Sequence, residues 1–208
     1  MRSKSCYTVL FIVLFLSCHP HGTATGEGPG IPDSLAVRIR GTYNGHFKEG
    51  LMTLVINYIS DSIVSGYDLH KGRRRNVNGS VLQKGDRLEF LLKEPGNNAL
   101  DGTFYLSMDT TSRNIAGKWI PAGDSTKVHT GALDLRRWDK DTSANQPSGT
   151  WYGDMGSISF NTEMGTCELG YSPDNIPSAK TTTILGNYWQ KKDTFYIEWE
   201  PNKLLPAR

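Results

Sequence analysis

The chain is poor in cysteine, in long apolar runs and in helical periodicity, and it leans toward neither sign of charge. Its 208 residues hold three cysteines, Cys6, Cys18 and Cys167. That odd, sparse set cannot make the framework of a disulfide-stapled secreted domain. The longest apolar run, Tyr7 to Leu16 ("YTVLFIVLFL"), is roughly half of the ~20 residues that a membrane-spanning helix needs. Net charge is +2, without the basic excess that marks a nucleic-acid binder. There is no HExxH, no GxSxG, no P-loop and no CxxC pair, so no catalytic or cofactor-binding motif is present. His46, His70 and His129 fall in separate contexts with no ligand spacing, and no metal site is expected.

What is there begins at the N-terminus. Arg2 and Lys4 precede the apolar run, and small and polar residues follow it. This is the layout of a secretory signal peptide, expected over 1–17. Two processing sites compete. One follows Ala24 in "HGTA". The other is "FLSC", ending at Cys18. The second resembles the lipobox of bacterial lipoproteins in having a small residue before a cysteine, directly after a signal core. The resemblance implies that Cys18 is lipidated on its thiol, becomes the first residue of the mature chain and is acylated again. It also implies a place in the cell envelope, at the outer membrane, with the membrane as a partner through the lipid. One acyl chain holds only marginally, whereas several on one residue anchor firmly. Residues 18–35 are rich in Gly, Pro, Ser and Thr and have no apolar period, which predicts a flexible lipidated tether. Loss of Arg2 and Lys4 would leave the mature chain close to neutral.

The body reads as all-β. "TFYIEWE" sets Phe195, Ile197 and Trp199 on one face. Phe104, Leu106 and Met108 alternate in the same way, as do Leu88, Phe90 and Leu92. Gly, Asn, Asp and Pro break these runs at short intervals, which predicts hairpins in an antiparallel up-and-down meander. Residues 36–138 suggest about eight strands, enough to close a small barrel, and 148–201 about five. The second set repeats the first. "GTYNGHF" at 41–47 matches "GTWYGDM" at 149–155. Each copy then has a Gly-Tyr step, a strand with a central glycine, and a closing alternation in which Leu88, Phe90 and Leu92 match Phe195, Ile197 and Trp199. Five strands alone leave open edges, so the two sets are expected to pack together.

"GTWYGDMGSISF" resembles the first hairpin of the avidin family, and the Gly-x-Trp at Gly117 to Trp119 is similar to the motif that lipocalins use. The resemblance implies a meander β-barrel. Ser157 stands where the avidin pattern has a ligand-contacting serine. Gly153 replaces that pattern's polar asparagine, so biotin binding is not implied.

Aromatic residues carry what remains of a functional signal, because their faces line apolar pockets and stack on sugars. The candidate ligand-binding residues are Tyr67, Trp119, Trp151, Ser157, Tyr171 and Trp189. The basic cluster His70 to Arg75 reads as a solvated hairpin tip. Glu94, Asp101, Asp109 and Asp124 read as turn residues. Cys167, in a strand pattern, reads as a small buried hydrophobe. The function expected is that of a non-catalytic, lipid-anchored envelope β-barrel binding a small ligand, a glycan or a protein. A docking accessory of the envelope is the alternative, with a carboxylate-dependent hydrolase behind it. An open cavity would favour binding, and a packed interior would favour docking.

Overall fold

A computed structural model describes residues 30–48, 50–96, 100–123, 131–139, 147–153, 156–171, 182–191, 194–203 and 205. The expected signal peptide, Cys18 and most of the expected tether lie outside the described residues, as do Asp124 and His129. The described chain holds one short helix, α1 (Asp33–Ile39), and thirteen strands. The first eight are β1 (Gly41–Phe47), β2 (Gly50–Ser60), β3 (Ile63–His70), β4 (Arg73–Lys84), β5 (Arg87–Lys93), β6 (Gly102–Asp109), β7 (Ile115–Pro121) and β8 (Gly131–Trp138). Each pairs antiparallel with the next, and β8 returns to β1 with Leu133 opposite Phe47 and Trp138 opposite Thr42. The result is a closed up-and-down barrel, the architecture that the alternation predicts.

Alternation decides the inside. Leu88, Phe90 and Leu92 are buried on β5 while Arg87, Glu89 and Lys93 are exposed. Phe104, Leu106 and Met108 are buried on β6. These join Tyr43, Leu54, Val64, Val77, Ile115, Leu133 and Leu135 in one core. In an eight-stranded barrel the interior is just wide enough for side chains to fill it.

α1 closes the end at which β1 begins. Ala36 and Ile39 are buried in the barrel core, the phenolic hydroxyl of Tyr43 donates to the Ile39 carbonyl, and Arg38 reaches the Thr110 carbonyl at 2.7 Å. Ile31 pairs with Asp61 ahead of the helix. The last residues of the expected tether, from Ile31 onward, therefore belong to the folded body, which is a correction. Two turns of helix are too short to show a 3.6-residue period. A helix this short is held by what it buries rather than by propensity.

The remaining strands are β9 (Gly149–Gly153), β10 (Gly156–Asn161), β11 (Thr166–Tyr171), β12 (Thr182–Lys191) and β13 (Thr194–Trp199). They form a second antiparallel meander in the order β13-β12-β11-β10-β9. The repeat is visible in the register. Gly79 faces Leu92, Val81 faces Phe90 and Gln83 faces Leu88 in the barrel. Gly186 faces Trp199, Tyr188 faces Ile197 and Gln190 faces Phe195 in the second sheet. The matched alternations therefore pair in the same way with the same glycine.

The Gly-Tyr step does not keep this register. Gly66 faces Val77, but the residue facing Ile184 is Leu169, not Gly170. A one-residue slip turns a strand over. Tyr67 consequently lies in the outward phase of β3, while Tyr171 shares a face with Leu169 and Ile184.

The second sheet lies against the outside of β1, β2 and β8. The Asn44 side-chain amide donates to the Met164 carbonyl at 2.6 Å, the Trp138 indole donates to the Thr162 carbonyl at 3.0 Å, and His46 meets Glu198 at 3.0 Å. Leu51 and Thr53, outward on β2, are buried in consequence. No helix among the described residues is long and apolar enough to cross a membrane.

Candidate functional site

Among the described residues, the barrel end opposite α1 is open. Its walls are the last turns of β1, β3, β5 and β7 and the first turns of β2, β4, β6 and β8. They enclose a cavity of about 400 Å³ lined by Phe47, Lys48, Met52, Asp68, His70, Lys71, Arg73, Arg75, Glu94, Leu100, Phe104 and Trp119. Glycines make room for its aromatic walls. A Cβ on Gly131 would overlap the ring of Phe47, and one on Gly102 would overlap the indole of Trp119. The edge of the Phe47 ring meets Trp119 at 5.8 Å between centroids and His70 at 4.9 Å. Lys48 spans this pair, its ammonium 5.2 Å from the Phe47 centroid and 5.1 Å from that of Trp119. Such contacts suit a cation held over ring faces.

The polar floor comes from three strands whose inward phase runs on past their apolar residues. Val64, Gly66, Asp68 and His70 share the inner face of β3, and Leu88, Phe90 and Leu92 lead in phase to Glu94. Arg75 faces Asp68 across the β3–β4 pair. Glu94 is 6% exposed. Its Oε2 accepts from the Trp119 indole at 2.7 Å, and its Oε1 lies 3.5 Å from Arg75 Nη1. Asp68 is 1% exposed, and its Oδ2 has no hydrogen-bond partner among the described residues. A buried polar atom left in that state costs free energy comparable to a lost hydrogen bond, and so requires an explanation.

Burial dominates the electrostatics. It lifts the Asp68 carboxyl to about 7, helped by the negative charge of Glu94 and opposed by Arg75. Burial also raises Glu94, against the Trp119 N–H and Arg75. It lowers His70, whose Nδ1 lies 2.9 Å from the Leu51 carbonyl. A neutral imidazole there donates through Nδ1 and keeps Nε2 as an acceptor. The floor thus holds two carboxyl groups against one guanidinium, with Lys48, Lys71 and Arg73 nearer the opening.

Among the aromatic candidates, only Trp119 reaches this cavity. Trp151, Ser157 and Tyr171 come together elsewhere, around a second cavity of about 400 Å³ on the other sheet, with Tyr152, Ile158, Leu169 and Leu205. Among the described residues, no buried polar atom without a partner lines that one, and its wall is an open edge. Trp151 is 59% and Tyr152 is 85% exposed. Trp151 is the repeat equivalent of Tyr43, which is fully buried because β8 covers β1. β9 has no such neighbour among the described residues. Tyr67 stands outside the barrel under the Arg74 guanidinium, 3.9 Å from its centroid. Trp189 stacks on Tyr196 at 5.7 Å in the outer sheet. The six candidates therefore divide among four places.

Three floor residues were misread from the sequence alone. Glu94 is not a turn carboxylate, and His70 and Arg75 are not part of a solvated tip. Only Lys71 and Gly72 make the hairpin turn. The signal was available in the period-two phase, which places Asp68, His70, Arg75 and Glu94 inside. Among the described residues, no group of three His, Cys, Asp or Glu could hold a metal ion. No protein-family model matches the chain, and no curated protein matches it.

Proposed function

We propose that the chain is a non-catalytic, lipid-anchored module of the cell envelope whose barrel captures a small ligand. One observation carries the reading. Among the described residues, the barrel is shut at one end by α1 and opens at the other into an aromatic-walled cavity of about 400 Å³ with the buried carboxyl of Asp68 on its floor. Ligand pockets are concave, mostly apolar and supplied with a few placed polar groups. The carboxylates lie side by side under Arg75, and Glu94 is already engaged by Trp119. That favours binding over a hydrolase, whose two carboxyl groups face each other across a substrate.

The anchor rests on the position of Cys18 behind the signal core. Cys18→Ala should move the protein from the membrane fraction to the soluble one without loss of fold. Mass spectrometry of the native protein should find an N-terminal peptide that begins at Cys18 and carries acyl groups. A chain starting at Thr25 without lipid would overturn the anchor.

The binding reading is tested with a library of small aromatic fragments, screened by ligand-observed NMR against the full chain and against Leu100→Trp. Leu100 is half exposed at the rim, and the larger ring should block the opening while unfolding temperature stays unchanged. Hits on the native protein that vanish in the variant support the reading. No hits, or hits indifferent to Leu100→Trp, would sink it.

A further inference from the structure

We propose, resting on that reading of the barrel, that the ligand is a small aromatic zwitterion, with an amine directed at Asp68 and an acid group left among the cations of the rim. The cavity is layered by charge. Among the described residues its floor has Asp68 and Glu94 against Arg75. Glu94 already accepts from Trp119 at 2.7 Å and lies 3.5 Å from Arg75. Asp68 lines the cavity, and its Oδ2 is buried without a hydrogen-bond partner among the described residues. Below about pH 7 the Asp68 carboxyl keeps its proton and bonds to Glu94; once ionised it can only accept, and the partner it then lacks is a donor. A cationic N–H group supplies the strongest bond of this kind and neutralises the surplus charge of the floor.

The rim has the opposite sign. Lys48, Lys71 and Arg73 line the same cavity, and none is in an ion pair among the described residues. Lys71 is within Coulombic reach of Glu200 and Lys48 lies over the Phe47 and Trp119 rings, so among the described residues Arg73 is the rim cation best placed for an acid group. Between floor and rim the walls are Phe47, Phe104 and Trp119. A flat ring fits between such faces better than an alkyl chain.

The test uses three probes with one body: 4-(2-aminoethyl)benzoic acid, 2-phenylethylamine and 4-ethylbenzoic acid. Each is titrated into the full chain by calorimetry. The zwitterion should bind tightest. Loss of its amine should weaken binding about tenfold or more, because a hydrogen bond to a charged group in a buried site is lost. Loss of its acid should weaken binding only about two- to fivefold, as for an exposed ion pair. Asp68→Asn keeps the shape of the floor. It should reduce binding of both amines about tenfold and leave 4-ethylbenzoic acid unchanged. Arg73→Ala should bring the zwitterion close to 2-phenylethylamine. Equal affinities for the three probes, or tightest binding of 4-ethylbenzoic acid, would overturn the zwitterion and leave the cavity standing as a binding site. Failure of all three would also overturn it, and the fragment screen on Leu100→Trp then decides separately whether the cavity binds anything.

Discussion

The indole N–H of Trp119 donates to the buried Oε2 of Glu94 at 2.7 Å, joining β7 to the residue that follows β5. Phe in place of Trp119 would leave that oxygen buried without its donor. Trp119→Phe should therefore cost about 1–3 kcal/mol, mostly the penalty of an unsatisfied charged acceptor. A double-mutant cycle in urea checks it. Trp119→Phe combined with Glu94→Leu should cost less than the sum of the two single changes. Strict additivity would mean that the bond is not formed.

Asp68 should make stability depend on pH. Unfolded, its carboxyl ionises near the ordinary 3.8, whereas folded it holds its proton to about 7. The folded state binds more protons across that window, so this residue's contribution falls as pH rises through it and is flat above. Burial of Glu94 acts in the same direction. His70, lowered by burial, acts in the opposite direction just below its ordinary value. Asp68→Asn isolates the first effect. The variant should gain on the native protein steadily between about pH 4 and pH 8, by a few kcal/mol at the upper end, on the order of 1.36 kcal/mol for each pH unit separating the folded from the unfolded carboxyl. Parallel melting-temperature profiles for the two proteins would refute this.

Tyr188 is buried with its ring edge-on to Trp138 at 5.1 Å and to Phe160 at 5.2 Å. Its hydroxyl has no partner among the described residues, and burial pushes its pKa up to about 12. Tyr188→Phe keeps both ring contacts and removes the orphaned group. It should raise stability by about 1 kcal/mol, read from the urea midpoint at unchanged slope. Tyr188→Ala should instead cost about 3–5 kcal/mol through the cavity it opens. A loss of stability in Tyr188→Phe would show that the hydroxyl is satisfied.

Cys167 is buried between Phe160 and Gly186, its cross-strand neighbours, as its strand pattern predicts. Burial, with help from Glu168, lifts its thiol to about 12. The thiolate is the reactive form. Iodoacetamide at pH 8 should therefore leave Cys167 unmodified in the folded protein and label it fully in denaturant. Labelling of the native protein at the rate of a free thiol would contradict the placement.

Asn44 holds barrel and second sheet together. It accepts from the Thr53 hydroxyl at 2.7 Å and donates to the Met164 carbonyl at 2.6 Å. Asn44→Ala should cost about 1–3 kcal/mol and should speed amide exchange in the Asn161–Gly165 turn while leaving β5 and β6 protected. Uniform acceleration across the barrel would mean that Asn44 serves the whole fold rather than this contact.

Much of the fold was legible in the residues. Period-two alternation, broken by glycine and turn residues, defined eight strands and then five, their order and the inward set on β5 and β6. The repeat could be read where a glycine and three alternating apolar residues recur, because strand register depends on that phase. Where the cue was a Gly-Tyr pair, the strands slipped by one residue, since two residues do not determine which face is buried. α1 left no trace because seven residues show no period. The site was half legible. Phase alone places Asp68, Arg75 and Glu94 inside, yet their charge and the neighbouring turns suggested solvent.

By itself the sequence determined an all-β meander, its strand count and its inner faces, because those depend on local alternation and turn chemistry. Tertiary structure alone decided that β8 closes on β1 while β9 is an edge among the described residues, which buries Tyr43 and leaves its counterpart Trp151 exposed. It alone brought Asp68, Arg75, Glu94 and Trp119, from four strands spread over about fifty residues, to one end of a cavity. Barrel closure is a relation between distant strands, and no local pattern states which end of it a helix will shut.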